Sequence, residues 1–324
     1  MRVLVTGSEG SLMQFVIGEL LTAGHEVRGV DNFFRYGVIE RKRDYELVRG
    51  DLCDPSIADS AVAGMDVIIQ GAARIYGVLG FHKYPADILA RDCELQQNLL
   101  WAAKNAGLQR FVYISSSMVY EKCTTVPSKE EDADNAPAPN TAYGLSKLVG
   151  ERLCRAFQEQ YGLPYTIFRP FNILTPLERA DNEHGISHVF ADFISAILSR
   201  QRPFRILGDG EQVRCFTWIE DVAAPIAKYL VASETKNQTF NLGNPQAISM
   251  KELAQKIYTK AVARGIVPDD GPLEFEHHPV PSDDVRVRIP SISKSQKVLG
   301  WTPKVRLDQA LEWCLDEAAI QSRN

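Results

Sequence analysis

Tyr143 and Lys147 stand four residues apart in the stretch TAYGLSK, Thr141 to Lys147. On a helix, positions i and i+4 share a face, so the phenol and the ammonium can address one small site. A nearby cation favours phenolate over phenol, and Lys147 is expected to lower the Tyr143 pKa. A tyrosine brought toward neutral pH can take the proton of an alcohol while a hydride leaves the same carbon. The pair is preceded by a Pro-rich acidic loop, SKEEDADNAPAPN. Leu148, Leu153, Phe157 and Tyr161 follow at helical spacing, so the pair sits at the start of an amphipathic helix.

Such a pair needs a scaffold that delivers a hydride acceptor, and the N-terminal segment has the pattern of one. RVLVT is a short apolar run suited to a buried parallel strand. GSEGSLM and the amphipathic run FVIGELLTAG follow, the latter ending at Gly24. EVRGVD is the next strand and ends in Asp31. Strand, glycine turn, helix and strand with a terminal acid is the plan of a dinucleotide-binding unit. Glycines admit a pyrophosphate close to the backbone, and a helix N terminus offers N–H groups to it. Asp31 can accept the adenosine ribose hydroxyls and would repel a 2′-phosphate, so NAD is expected over NADP. The spacing is Gly7-x-x-Gly10-x-x-Met13, and Met13 stands where a third glycine would let helix and strand pack closely. A slightly displaced first helix is expected there.

YELVRGDL reads as the third strand, with Asp51 and Leu52 at its end. DVIIQGAAR is the fourth, and Ala72 and Ala73 leave room for a cofactor against the backbone. A helix over 87–105 follows. RFVYISSS is the fifth strand and YTIFRP the sixth. Strands and helices alternate, so the fold class is α/β, a doubly wound parallel (Rossmann) sheet. After Pro170 the segments become shorter and irregular. RCFTWIEDVAAPIAKYLVA and FNLGN read as a return to the sheet. The expected division is a dinucleotide domain over 1–172, with return segments about 216–243, and a smaller C-terminal substrate lobe over 173–215 and 244–324.

Composition excludes several other functions. Apolar residues make up 45% and charged residues 24% of the 324, the balance of a soluble globular chain. A net charge of −5 without a Lys/Arg block argues against nucleic acid or a membrane surface as partner. No apolar run reaches the length of a membrane span. No signal peptide is visible, and the six cysteines are scattered without a CxxC. A cytoplasmic protein with reduced thiols and no metal site is expected.

Ten short stretches now stand in order: TGSEG, VDN, GDL, GAAR, YISSSMVY, YGLSK, RPFN, LGDGEQVRCFTWIEDVA, FNLGN and ISKSQKVLGWTP. Together they resemble the extended short-chain dehydrogenase/reductases, in the NAD-dependent nucleotide-sugar epimerase/dehydratase branch, over nearly the whole chain. The resemblance implies that Ser116, Tyr143 and Lys147 are catalytic, with Lys147 also holding the nicotinamide ribose. It implies NAD binding by Gly7, Gly10, Ser11, Leu12, Asp31, Asn32, Asp51, Leu52, Ala72, Ala73, Ser115 and Pro170, along with Tyr143 and Lys147. It places a nucleoside-diphosphate sugar on Gly80, Phe81, Ser116, Ser117, Tyr143, Asn172, Arg214 and Arg288. Arginine suits diphosphate recognition because its fork is bidentate. The helices at 87–105 and 142–161 are, by the same resemblance, the face of a homodimer.

The departures narrow the chemistry. The 4,6-dehydratases carry an Asp-Glu pair directly after the catalytic Thr, where this chain has Ser117 and Met118. The uronate decarboxylases have a Glu near there, and this chain has none. What remains is the equipment of a 4-epimerase: Tyr, Lys, Ser and NAD. RIYGVLGFH, SSSMVY and the VRVR stretch from Val285 to Arg288 are similar to GDP-mannose 3,5-epimerase. Yet its acid/base Cys falls at Met118, and its partner Lys falls near Glu183 to His188, where there is none. For inversion at C3 or C5, the candidates by residue type are Cys123, His82, His184 and His188. NILTP in place of N-x-Y-G-P, and Cys215 where the family has Asp, point to an unusual substrate pocket. A dehydratase, a 4-ketoreductase and a non-catalytic NAD(H)-binding protein are the other readings.

Overall fold

Seven short apolar runs become the strands of one parallel sheet. The computed structural model describes residues 1–324 except 36, 39, 40, 179, 181–186, 282, 283 and 322–324. In chain order the first elements are β1 (Arg2–Thr6), α1 (Ser11–Thr22), β2 (Glu26–Asp31), β3 (Glu46–Arg49), α2 (Pro55–Val62) and β4 (Val67–Gln70). They continue with α3 (Val78–Lys83), α4 (Pro85–Ala106), β5 (Arg110–Ile114), α5 (Asp132–Asn135), α6 (Ala142–Tyr161) and β6 (Tyr165–Pro170). The seventh strand is Gln238–Leu242, which lies beside β6 at one edge. The order across the sheet is Gln238–Leu242, β6, β5, β4, β1, β2, β3. Between β1 and β4 the chain's direction of travel across the sheet reverses, and the strand ends open a crevice there.

The doubly wound parallel sheet is the fold class expected, and FNLGN does return to it. The helix Ile219–Lys228 returns as well, sharing one apolar cluster with α1 and the sheet through Val222, Ile226, Val16 and Leu20. Pattern reading missed α2 and α3. Asp54 caps α2 by accepting from Ser56 N at 2.8 Å, and Pro55 fills its first position. The serines after β5 stand beyond the strand, which stops at Ile114.

Beyond β6 the strands are short pairs. Ile173–Leu174 runs parallel to Thr217–Trp218, Phe204–Leu207 parallel to Phe275–His278, and Val213–Cys215 antiparallel to Ala247–Ser249. Phe190, Ile194, Phe204, Trp218, Leu253 and Leu311 bury a separate core there, and Leu12 and Phe15 of α1 pack against it. Leu12 thereby touches both that core and the core under the sheet.

Candidate active site

The first half of the site is the crevice at the strand ends. Gly7 has φ +68°, and a Cβ there would lie 2.9 Å from Ala72 Cα. Only glycine lets β1 turn this closely against the β4 loop. Thr6 Oγ1 locks the approach by accepting from Gly71 N and Ala72 N, each at 3.2 Å. Met13 is buried, and the room for it comes from Gly71: a Cβ on residue 71 would fall 2.6 Å from the Met13 sulfur. A missing glycine on α1 is thus matched by one on the facing loop.

The groove is lined by Gly7, Gly10, Asp31, Asp51, Ala72 and Ala73 among others. Asn32 and Leu52 also line it. The α1 N terminus beneath it carries no side-chain cap and no acid in its first turn, which leaves its dipole to an external anion. Asp31 accepts from Glu9 N at 2.9 Å and Phe33 N at 2.7 Å, and burial pushes its carboxyl up. Each oxygen keeps a further lone pair for a ribose hydroxyl. Asp51 accepts from Cys53 N at 3.0 Å and Asn32 Nδ2 at 3.4 Å. A cradle without Cβ atoms, an uncapped helix end and an acid at the β2 end fit a dinucleotide.

Glu9 went unnoticed in the sequence. It sits inside the glycine turn, and its carboxylate takes hydrogen bonds from Arg43 Nη2 at 2.8 Å, Arg41 Nη2 at 3.3 Å and Tyr45 Oη at 2.5 Å. Burial opposes the charge, but these donors and the Arg41 charge bring the carboxyl down to about 2. Arg41 and Arg43 are therefore already paired with Glu9.

The second half of the site is the start of α6. Glu121 is buried and accepts from Asn140 N, Thr141 N and Thr141 Oγ1, the last at 2.7 Å. Thr141 then caps the helix by accepting from Gly144 N at 3.1 Å. The first turn, and Tyr143 with it, is fixed in direction. Farther along, Gly150 lets α6 lie on β5, since a Cβ there would collide with the Tyr113 hydroxyl.

Ser116 and Tyr143 share a side-chain hydrogen bond. Ser116 also accepts from Met118 N at 3.2 Å, which holds the serine at the β5 exit. Phe81 stacks on Tyr143 with ring centroids 4.8 Å apart and planes 6° from parallel. Lys147 is buried and donates to Ile114 O at 3.0 Å, with its Nζ 5.7 Å from the Tyr143 ring centroid. The expected lowering of the Tyr143 pKa is not found: burial pushes it up to about 12, against the Ser116 bond that draws it down. Burial likewise lowers the Lys147 pKa. A buried neutral phenol outweighs a cation that is turned toward a carbonyl.

Asn172, Arg288 and Met118 meet on the other wall. Arg288 is buried and donates to Asn172 Oδ1 at 3.1 Å and to the Met118 sulfur, and among the described residues its Nε has no partner. Asn172 has φ +26°, and its Nδ2 donates to Cys215 O at 2.8 Å. A non-glycine residue held at such an angle is strained. Arg214 pairs with Asp284 at 3.0 Å. Burial and the neighbouring Arg214 push Arg288 down to about 9.

Other expected residues are placed differently. Ser115 turns its hydroxyl inward to Glu151 at 2.6 Å, within the buried Glu151–Arg169 pair. Its side chain therefore serves that network. Ser117 and Gly80 are buried, and Pro170 closes β6 at its pairing with Leu242. Cys123 packs against the cluster of Val119, Tyr120, Ala133 and Phe171, and burial raises its thiol to about 11. His82 is exposed on α3. His188 bonds Glu178, Nδ1 to Oε1 at 2.5 Å, and Glu178 is also 3.5 Å from Arg35 Nη2. His184 lies outside the described residues. Among the described residues no three His, Cys, Asp or Glu side chains form a metal cluster, and all six cysteines are free.

Residues 3–243 match the NAD dependent epimerase/dehydratase family. UDP-glucuronic acid decarboxylase 1 of Arabidopsis thaliana is 29% identical over 325 residues, covering 96% of this chain and 68% of its own. GDP-mannose 3,5-epimerase 1 of Oryza sativa subsp. japonica is 27% identical, covering 97% of this chain and 80% of its own. Among solved structures, UDP-glucose 4-epimerase of Thermotoga maritima with UDP-glucose superposes with a TM-score of 0.85. That structure is 25% identical and covers 99% of this chain and 100% of its own.

Proposed function

The chain belongs to the NAD-dependent epimerase/dehydratase family, and within it we propose that it inverts C4 of a nucleoside-diphosphate sugar. When bound, NAD supplies the hydride acceptor for a transient oxidation that is reversed within the same turnover. Tyr143 takes the C4 hydroxyl proton and later gives it back, so no net redox change occurs. Ser116 holds the oxygen that gains and loses that proton, through the same geometry in which it bonds Tyr143. Lys147 supplies positive charge in the cleft as the phenolate forms. In this reading Arg288 and Arg214 take the diphosphate together with Asn172, a role supported by the Arg288 Nε that has no partner among the described residues. An anion there would offset the mutual repulsion of the two guanidinium groups. Phe81 and Gly80 border the sugar end.

The observation that carries this proposal is the contact between Met118 and Arg288. In the positions after Ser116, where elimination or decarboxylation would need an acid, Ser117 is buried and Met118 is bonded to an arginine. A thioether accepts weakly and moves no proton. The test is turnover of a panel of UDP-, GDP-, ADP-, CDP- and dTDP-sugars in deuterium oxide. C4 inversion by hydride return leaves the inverted carbon unlabelled and the mass unchanged. Loss of water or of carbon dioxide would refute the assignment.

One observation favours a second reading, inversion at C3 or C5. His188 bonds Glu178, which also pairs with Arg35, a residue that lines the groove. Deuterium at C3 or C5 of the product would move this reading to first place.

We also infer a homodimer through α4 and α6. Trp101 and Tyr161 are 45% and 38% exposed, and both rings touch Phe157. An aromatic patch shared by two packed helices is suited to a second copy. A monomer in sedimentation equilibrium at micromolar concentration would overturn this.

A further inference from the structure

We propose that Asp92 is a positioning residue that ties the cofactor-facing loop to the helix bearing Tyr143 and Lys147 and carries the counter-charge to Lys147. Asp92 lies on α4 and is buried. Its Oδ1 accepts from Arg74 N at 2.7 Å, which pins the loop after β4 beside Ala72 and Ala73. Its Oδ2 accepts from Ser146 Oγ at 3.0 Å, one residue before Lys147. Burial raises the Asp92 pKa, while the Lys147 charge and the two donors on its two oxygens favour the carboxylate. A single side chain thus joins the nucleotide half of the site to the proton-transfer half.

Its charge has a sign that matters, given the proposed role of Tyr143 and Lys147 as proton-transfer pair. The Asp92 carboxylate stabilises cationic Lys147 and opposes an anionic Tyr143. With Lys147 charged and Tyr143 neutral, the three groups sum to zero. Loss of the Tyr143 proton leaves a net negative charge in a buried place. Forming the phenolate therefore leans on the positive charges of Arg35 and Arg288, which act on Tyr143 against Asp92. Asp92 also faces Arg74 and Tyr76 of the loop, Tyr113 of β5 and Cys93 of its own helix. Glu151 supports Lys147 in the same direction, and Arg35 and Arg288 act on Tyr143 in the opposite one. Removing the Asp92 charge should let both Tyr143 and Lys147 lose protons at lower pH, whichever leaves first.

Asp92→Asn and Asp92→Ala separate the charge from the anchoring. Asn keeps an acceptor for Arg74 N, while Ser146 Oγ retains its other bond, to Tyr143 O at 2.9 Å. The readout is tyrosinate absorbance against pH in the NAD-loaded protein, taken as the difference from the same protein carrying Tyr143→Phe. NAD affinity is measured alongside by calorimetry. For Asp92→Asn the Tyr143 midpoint should fall on the order of one pH unit, a tenfold change in ionisation, with NAD affinity unchanged. Asp92→Ala should show the same shift and bind NAD roughly tenfold more weakly, the scale of a lost buried hydrogen bond. Ser146→Ala, which keeps the charge, should leave the midpoint in place. A midpoint that does not move in Asp92→Asn overturns the proposal, as does a shift of equal size in Ser146→Ala. A shift in Asp92→Asn alongside full epimerisation by Tyr143→Phe would uphold Asp92 while removing the C4 mechanism.

Discussion

The rings of Phe81 and Tyr143 lie almost parallel, 4.8 Å apart at their centroids. Phe81 comes from α3, between the nucleotide loop and α4, and covers one face of the residue proposed as base. The stack fixes the swing of the phenol about its ring axis and keeps water off it. Phe81→Ala should lower the epimerisation rate by about tenfold, an expected cost of roughly 0.5–1.5 kcal/mol for a lost aromatic pair. NAD binding should stay. Phe81→Tyr, which retains the stack, should recover most of the rate. A loss confined to NAD affinity would show that Phe81 acts elsewhere.

NAD should be preferred over NADP because Asp31 stands at the β2 end and Arg41 and Arg43 are held by Glu9. Asp31→Ala should weaken NAD by about 1–2 kcal/mol, the scale of charge-assisted hydrogen bonds. Equilibrium dialysis with both dinucleotides checks this, and tighter NADP binding by the unaltered chain would contradict it.

Glu9 makes a separate prediction about acid stability. Its folded pKa of about 2 lies below the ordinary carboxylate value. A depressed carboxyl stabilises the fold above its unfolded pKa, and that contribution fades as pH falls from about 4.5 toward 2. Glu9→Gln should destabilise the protein by on the order of 1–3 kcal/mol at neutral pH and flatten the decline in this window. Urea unfolding at a series of pH values reads it. A parallel decline in both proteins would place the acid sensitivity at other groups.

Much of this was legible in the sequence because it follows from periodicity. The parallel sheet came from alternating apolar runs and helices, Asp31 from its place at a strand end, and Tyr143 with Lys147 from a spacing of four on a helix. The Tyr143 pKa was not legible. Spacing places Lys147 on the right face, but whether its ammonium faces the phenol or the Ile114 carbonyl is decided by packing. Burial then reverses the expected sign. Asp92 and Glu9 were missed for a related reason: each gains its meaning from partners 18 to 54 residues away for Asp92 and up to 36 away for Glu9. Met13 read as a local departure, and only the fold shows that Gly71 accommodates it. Ser115 stood in a run of three serines, and nothing in the run distinguishes the one that points inward.

The products offer a check on the chemistry excluded by Met118. No 4-keto-6-deoxy sugar and no pentose should accumulate from any nucleotide hexose or hexuronate, because neither Ser117 nor Met118 can relay the protons those reactions need. Mass spectrometry of long incubations should find only isomers of the substrate.

The most direct measurement is the epimerisation rate of Tyr143→Phe on whichever nucleotide sugar the unaltered protein turns over. Phenylalanine keeps the ring and its stack on Phe81 and deletes only the hydroxyl that would carry the proton. The expected result is a rate lower by about 10²–10⁴-fold, on the order of 3–5 kcal/mol of barrier, with NAD still bound. A Tyr143→Phe protein that epimerises at close to the original rate would contradict Tyr143 as the base and, with it, transient oxidation at C4.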